Sequence, residues 1–293
     1  MHTAAATEAA PPELRWGERT YVMGIVNVTP DSFSGDGLAT PERSREEVVA
    51  AAVELGRRFV AEGADIVDVG AESTRPAQFY GQHSPPDAAT ESGRAVPVVE
   101  ALSRVLGGRA LVSIDTYKGA VAAAAVAAGA RIVNDVWGAR RDPGTADAAA
   151  ASGAYLVVVH NRERADSAGS VFEEVAAWLR DAVAAAVGRG VPRRRLIVDP
   201  GIGFGKTPEQ SMELLHRLGE LKSAVGGLPL LVGTSRKRFI GEILGGAPPE
   251  ERLEGTLASV ALAVAGGADI VRVHDVAPAV RTVRVADAII RRR

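Results

Sequence analysis

The sequence predicts a single α/β domain folded as a (β/α)8 barrel, and three observations lead there. Eight short runs rich in Val, Ile and Leu recur along the chain. Amphipathic or alanine-rich stretches separate them, at about 35 residues per repeat, the spacing of an alternating strand–helix barrel. Each run also ends on or beside a polar residue. Continuous apolar runs of this length are strands covered on both faces, as in parallel sheets. An open doubly wound sheet is the structural alternative, because strand order is not written in a sequence.

Taken in order, the first strand is YVMGIVN at 21–27. It feeds a Pro/Gly-rich loop over 28–41, where Thr40 reads as an N-cap before Pro41 at the first helical position. EGAD at 62–65 ends that helix with glycine, and DIVDVG at 65–70 is the second strand. A second Pro/Gly-rich loop covers 71–87. LVSID at 111–115 and RIVND at 131–135 are strands three and four, and YLVVVH at 155–160 is the fifth. GRGVP at 188–192 closes a helix before strand six, LIVD at 196–199. Thr207 caps the next helix, with Pro208 at its first position and Gln210 completing a capping box. LLVGTS at 230–235 is strand seven, and GGAD at 266–269 ends the helix before strand eight, DIVRVH at 269–274. Both long loops fall on one barrel end, a natural place for mobile lids.

The bulk numbers exclude several classes. With 46% apolar and 24% charged residues the chain can bury a large core. A net charge of −2 gives no pull towards nucleic acid or an anionic membrane. The longest uncharged apolar run, around 257–268, is far short of the roughly 18 residues of a spanning helix. Residues 1–14 lack a basic start and an apolar centre, so they read as a flexible tail ahead of one domain at 15–293, not a secretory signal. The absence of cysteine rules out disulfides, thiol catalysis and cysteine-bound metal, and fits a cytoplasmic protein. The chain has 30 arginines but only four lysines, three of them just after apolar strands, which marks those three as candidate flexible donors.

The strand ends are Asn27, Asp68 or Glu72, Asp115, Asn134 or Asp135, His160, Asp199, Thr234 or Ser235, and Arg272 or His274. Barrel active sites lie at these C-terminal ends, where the side chains converge. Singly each could be a turn-former or a helix cap, Asp115 and Asp199 included. Together they can read a polar heterocycle and hold an anion. Arg272 and His274 alternate and so point the same way. A buried Arg272 needs a negative partner, either phosphate or a structural carboxylate such as Asp275 or Asp269. Asn27 can offer an amide oxygen to Mg²⁺ or an amide N–H to phosphate. Carboxylates in such a cleft suit the NH₂ and ring N–H of an aminopyrimidinone edge. The stretch IVDPGIGFGKT at 197–207 ends like a phosphate-binding loop, but a Walker loop would need glycine where Pro200 stands.

MGIVNVTPDSFS, ESTRP, SIDTYK, NDV, DPGIGFGKT, GTSRKRFIG and RVHDV, in this order, resemble the dihydropteroate synthase family from about residue 20 to the end. The resemblance implies a (β/α)8 barrel that joins 6-hydroxymethyl-7,8-dihydropterin pyrophosphate to p-aminobenzoate and releases pyrophosphate, a cytoplasmic homodimer and a sulfonamide target. It implies that Asp115, Asn134, Asp199 and Lys237 hold the pterin. Asn27, Arg272 and His274 would hold the pyrophosphate with Mg²⁺, Asn27 being the metal ligand and Arg272 also stacking on the pterin. Loops carrying Asp31, Ser32 and Phe33, and Thr74, Arg75 and Pro76, would close the site. Gly203, Phe204, Lys237 and Arg238 would line the p-aminobenzoate pocket. Lys206 receives no role.

The chain departs from the family pattern in three places. The first loop reads DSFSGDG at 31–37, with its second acidic residue at Asp36 and not at 35; Val159-His160-Asn161 replaces Met-His-Met and is followed by a charged RER; and Ala77 stands where glycine is expected. Two rivals are a pterin-binding paralogue without synthase activity and a methyltetrahydrofolate-dependent methyltransferase. The second has no pyrophosphate to expel and no need of the TPDSF loop or the TSRKR cluster.

Overall fold

A computed structural model of the chain describes residues 13–29, 37–40, 42–72, 85–164 and 169–291. The strands are β1 (Tyr21–Asn27), β2 (Ile66–Gly70), β3 (Leu111–Asp115), β4 (Ile132–Asp135), β5 (Tyr155–Val159), β6 (Leu196–Asp199), β7 (Leu231–Val232) and β8 (Ile270–Val273). The helices between and after them are α1 (Arg45–Glu62), α2 (Ala88–Leu106), α3 (Gly119–Ala127), α4 (Gly144–Ser152), α5 (Val171–Gly188), α6 (Pro208–His216), α7 (Leu218–Ala224), α8 (Arg238–Ile243), α9 (Leu253–Ala265) and α10 (Val276–Ile290).

All strands are parallel, in the order β6-β5-β4-β3-β2-β1-β8-β7, and a bridge from Val198 to Leu230 nearly closes the ring. Sequential neighbours all the way round exclude the doubly wound alternative. Strand periodicity divides the core in two. Met23, Ile66, Leu111, Ile132, Val157, Ile197, Leu231 and Ile270 fill the barrel. Val22, Val67, Val112, Val133, Leu156, Val198, Val232 and Val271 face the helices.

The N-terminal end of the barrel is stoppered by residues ahead of β1. Leu14 is buried in the inner core, so it is no part of a tail; residues 1–12 lie outside those described. Trp16 packs edge-on to Tyr21 and Tyr155, each at 5.9 Å between ring centres.

Two local expectations change. The cap of α1 is Ser44, in a complete capping box with Glu47, and not Thr40. Ser-x-x-Glu was present at 44–47, but the Thr-Pro pair a turn earlier resembled it; Pro41 lies outside the described residues. Strand β7 is two residues long rather than six, because Arg236 turns left-handed at φ 57° and the Thr234 and Ser235 hydroxyls are taken by Ser259 and His274. The Thr207 box with Gln210 and the left-handed Gly63 that ends α1 are as expected.

Candidate active site

One pleat beyond the inner apolar layer, the inward positions turn polar: Asp68 on β2, Ser113 and then Asp115 on β3, Asn134 on β4, Asp199 on β6 and Arg272 on β8. Arg272 lies between two carboxylates. Its Nε donates to Asp68 Oδ2 and its Nη2 to Asp115 Oδ2, both at 2.7 Å. Asn134 Nδ2 donates to the same Asp68 oxygen at 3.2 Å, which commits one of its two amide N–H groups and fixes the amide with its carbonyl turned to the cleft. Asp68 Oδ1, Asp115 Oδ1 and Asn134 Oδ1 are all buried without a hydrogen-bond partner in the protein. Three acceptors from adjacent strands therefore lack donors, which is costly unless a ligand supplies them. Burial pushes the Asp115 carboxyl up to about 7 against the pull of Arg272.

Opposite them stand Asp199 and Lys237. Asp199 Oδ1 accepts from Gly201 N at 2.6 Å, and its carboxyl is also raised by burial. Lys237 donates to Ile202 O, and its ammonium lies 4.4 Å from the centre of the Phe204 ring. Burial pulls it down to about 8, opposed by the nearby Asp199 charge. Gly203 has φ 82°, and a Cβ there would fall 2.9 Å from Lys237 Cδ, so only glycine lets the turn lie against that lysine. Neither Asp115 nor Asp199 caps a helix: Thr207 caps α6, and α3 has no side-chain cap.

On the β7–β8 side, Ser235 Oγ accepts from His274 N at 3.2 Å and lies 2.9 Å from His274 Nδ1. A hydroxyl that accepts from the main chain and donates to Nδ1 leaves the ring proton on Nε2, as a donor for an anion. Asn27 flanks the same opening: a Cβ on Gly70 would lie 3.9 Å from Asn27 Oδ1 and 3.8 Å from Asp115 Oδ2. Lys118 holds the root of the second loop by donating to Glu72 and to buried Glu91, the latter at 2.5 Å.

The model of the family described as pterin binding enzyme matches residues 23–274. The chain belongs to that family. The dihydropteroate synthase of Bacillus subtilis (strain 168) is 40% identical over 99% of this chain and 96% of that protein. Two structures of the Xanthomonas albilineans dihydropteroate synthase are similar to it. The one with 4-aminobenzoic acid has a TM-score of 0.83 at 41% identity, covering 93% of this chain and 94% of that one. The one with 7,8-dihydropteroate has a TM-score of 0.79 at 40% identity, over 93% and 94%.

Within this pterin-binding barrel, the structure gathers Asn27, Asp115, Asn134, Asp199, Gly203, Phe204, Lys237, Arg272 and His274 at one mouth. Arg238 starts α8, half-exposed, with Glu242 at 3.2 Å. Asp31, Ser32, Phe33, Asp36, Thr74, Arg75, Pro76 and Ala77 lie outside the described residues. Arg272 is partnered by structural carboxylates, but not by the two that the sequence suggested. Its carboxylates are Asp68 and Asp115, whereas Asp275 pairs with Arg236 and Asp269 with Lys222, each at 2.7 Å. Asp115 therefore does have a compensating arginine. Asp135 is a bracket for the following turn, accepting from Trp137 N, Ala139 N and Thr145 Oγ1. His160 is buried and neutral, its basicity driven down by burial and by Lys206 and Arg162.

Proposed function

We propose that the chain is a dihydropteroate synthase, condensing 6-hydroxymethyl-7,8-dihydropterin pyrophosphate with p-aminobenzoate to give 7,8-dihydropteroate and pyrophosphate in folate synthesis. The observation that carries this is the trio of partnerless acceptors on β2, β3 and β4, facing Asp199 and Lys237. An aminopyrimidinone presents donors to the acceptors and a ring carbonyl to a lysine. Arg272 forms the floor between them, while Asn27 and His274 flank the diphosphate.

The aromatic amine is neutral near pH 7 and needs no base to become a nucleophile. Departure of the diphosphate is the difficult event. The C–O bond to the diphosphate breaks with its electron pair, the electron-rich dihydropterin tolerates the positive charge on the methylene, and the amine nitrogen closes the new C–N bond, losing a proton to solvent. In the tautomer that accepts from Ser235 at Nδ1, His274 Nε2–H would donate to the departing oxygens. Among the described residues no group of three or more His, Cys, Asp or Glu could hold a metal. Mg²⁺ bound to a diphosphate keeps its waters and takes phosphate oxygens with one or two protein ligands. Asn27 is the described residue that would hold it, and the ion would neutralise charge on the diphosphate when bound.

The methyltransferase alternative has no use for the Ser235–His274 pair beside the mouth. The paralogue alternative is separated by turnover. Pyrophosphate release should require both substrates and fall strongly without Mg²⁺; binding of the pterin substrate with no release on adding p-aminobenzoate would establish the paralogue instead.

Lys237 gives a sharper prediction. It is charged below about pH 8 and neutral above it. Because kcat/KM reports the free enzyme, kcat/KM for the pterin substrate should fall as pH rises through that value. In Lys237→Arg, whose guanidinium stays charged, this limb should flatten even though the maximum is lower. A wild-type profile level to about pH 9.5 would remove Lys237 from pterin anchoring.

Beyond the chemistry, Leu262, Val285 and Ile289 on α9 and α10 are about 60% exposed, which supports a homodimer through these adjacent helices. No described helix is long and apolar enough to cross a membrane, and with the absence of cysteine this supports a cytoplasmic enzyme.

A further inference from the structure

We propose that Lys206 is a positioning residue for the aromatic-acid half of the site: its amino head group fills a cage of main-chain oxygens and so fixes the turn that holds Lys237. The proposal rests on the synthase reading given above. Lys206 Nζ lies 2.8 Å from Gly201 O, 3.1 Å from Phe204 O, 3.4 Å from His160 O and 2.9 Å from His160 Nδ1. The side chain is only 7% exposed, and it touches acceptors throughout, so it cannot reach a phosphate as a Walker lysine does.

The turn around this cage is pressed hard against the loop after β5. A Cβ on Gly201 would fall 1.8 Å from His160 O, and one on Gly205 would fall 2.0 Å from Arg162 O. Arg162 seals the outside, donating to Gly205 O at 2.6 Å, Gln210 Oε1 at 2.7 Å and Glu174 at 2.5 Å. The charged segment that departs from the family pattern after β5 thus supplies an outer brace for the same turn.

Two groups held by Lys206 lead to the substrate pocket. Gly201 and Phe204 bracket Ile202, whose carbonyl accepts from Lys237, and Phe204 carries the ring beneath the Lys237 ammonium. Removing the Lys206 head group takes a donor from three carbonyls, of which Gly201 O keeps a second one, Phe204 N at 3.0 Å, and this is costly and loosens the turn. The pterin acceptors on β2 to β4 belong to other strands and keep their own arginine. The effect should therefore fall first on p-aminobenzoate, through Phe204, and reach the pterin only by way of Lys237 and Asp199, by a smaller factor.

The test compares Lys206→Ala, which opens the cage, with Lys206→Met, which fills it without donors. The unmodified chain is assayed in parallel; if it does not release pyrophosphate from the two substrates, the synthase reading fails and not this assignment. In Lys206→Ala the KM for p-aminobenzoate should rise about tenfold, while calorimetric affinity for the pterin substrate changes by less than about twofold. Ammonium chloride should restore about half of that loss on a logarithmic scale, and tetramethylammonium chloride at equal ionic strength should not. Lys206→Met should show the same KM rise without rescue. Unchanged KM, an equal loss of pterin affinity, the same response to both salts, or failure of both variants to fold would each overturn the proposal in favour of a lysine that only supports the fold.

Discussion

Arg272→Met should give a chain that is both inactive and much less stable. The guanidinium is the compensating charge for Asp68, which is 0% exposed, and for Asp115. Removing one partner of a buried ion pair strands the other, at about 3–5 kcal/mol, and in a chain of this size that lowers Tm on the order of 10 °C. The loss should depend on pH with a definite sign. Asp115 already stands at about 7 in the folded chain against 3.8 as the ordinary value. Between those values the folded state keeps a proton that the unfolded chain has released, so stability falls as pH rises through that window. Without Arg272 the window extends upward. Thermal unfolding should therefore show a small penalty near pH 5 and a large one near pH 8. Asp115→Asn in the Arg272→Met background should recover part of the deficit, since it removes one stranded charge. Equal penalties at both pH values would mean that the arginine acts by packing and not by charge.

Asp199→Asn should separate activity from stability in the other direction. The amide can keep the acceptor for Gly201 N, but it presents NH₂ where the pterin offers N–H. Two charge-assisted bonds of about 1.5–3 kcal/mol each are at stake, so kcat/KM for the pterin substrate should fall by about 10²–10⁴-fold. The folded chain, by contrast, should be no less stable at neutral pH and more stable in alkali. Burial raises the Asp199 carboxyl, so ionising it costs the folded state something that the amide avoids. A drop in Tm together with intact turnover would show that Asp199 serves the fold and not the ligand.

These two residues show what the sequence could and could not reveal. Asp199 was readable as a strand end because it closes an apolar run, and the same was true of Asp115 and Asn134. Arg272 was readable as buried, but its partners were not: Asp68 lies 204 positions away, and no local pattern links them. Asp68 itself was noted only as a strand end and was left out of the candidate site. Its phase was the available signal, since it follows Ile66 by two and so must point inward with it. Lys206 receives no role from the sequence, although a lysine in so arginine-rich a chain is a hint that a compact, flexible donor is wanted there. The short β7 was invisible because its hydroxyls are claimed by side chains from α9 and the end of β8, a tertiary contact that strand propensity does not encode.

The barrel is laced unevenly. From β6 round through β1 each stave is paired over several residues, whereas β7 is joined to β6 by one bridge and to β8 over two positions. Breathing in a closed sheet starts at its loosest seam. Here that seam runs between the segment bearing Phe204 and the one bearing Lys237, the two sides of the place assigned to the aromatic acid. The place assigned to the heterocycle lies on the tightly sewn side, so under that assignment the barrel is firmest around the fused ring and loosest along the edge where the second reactant would enter.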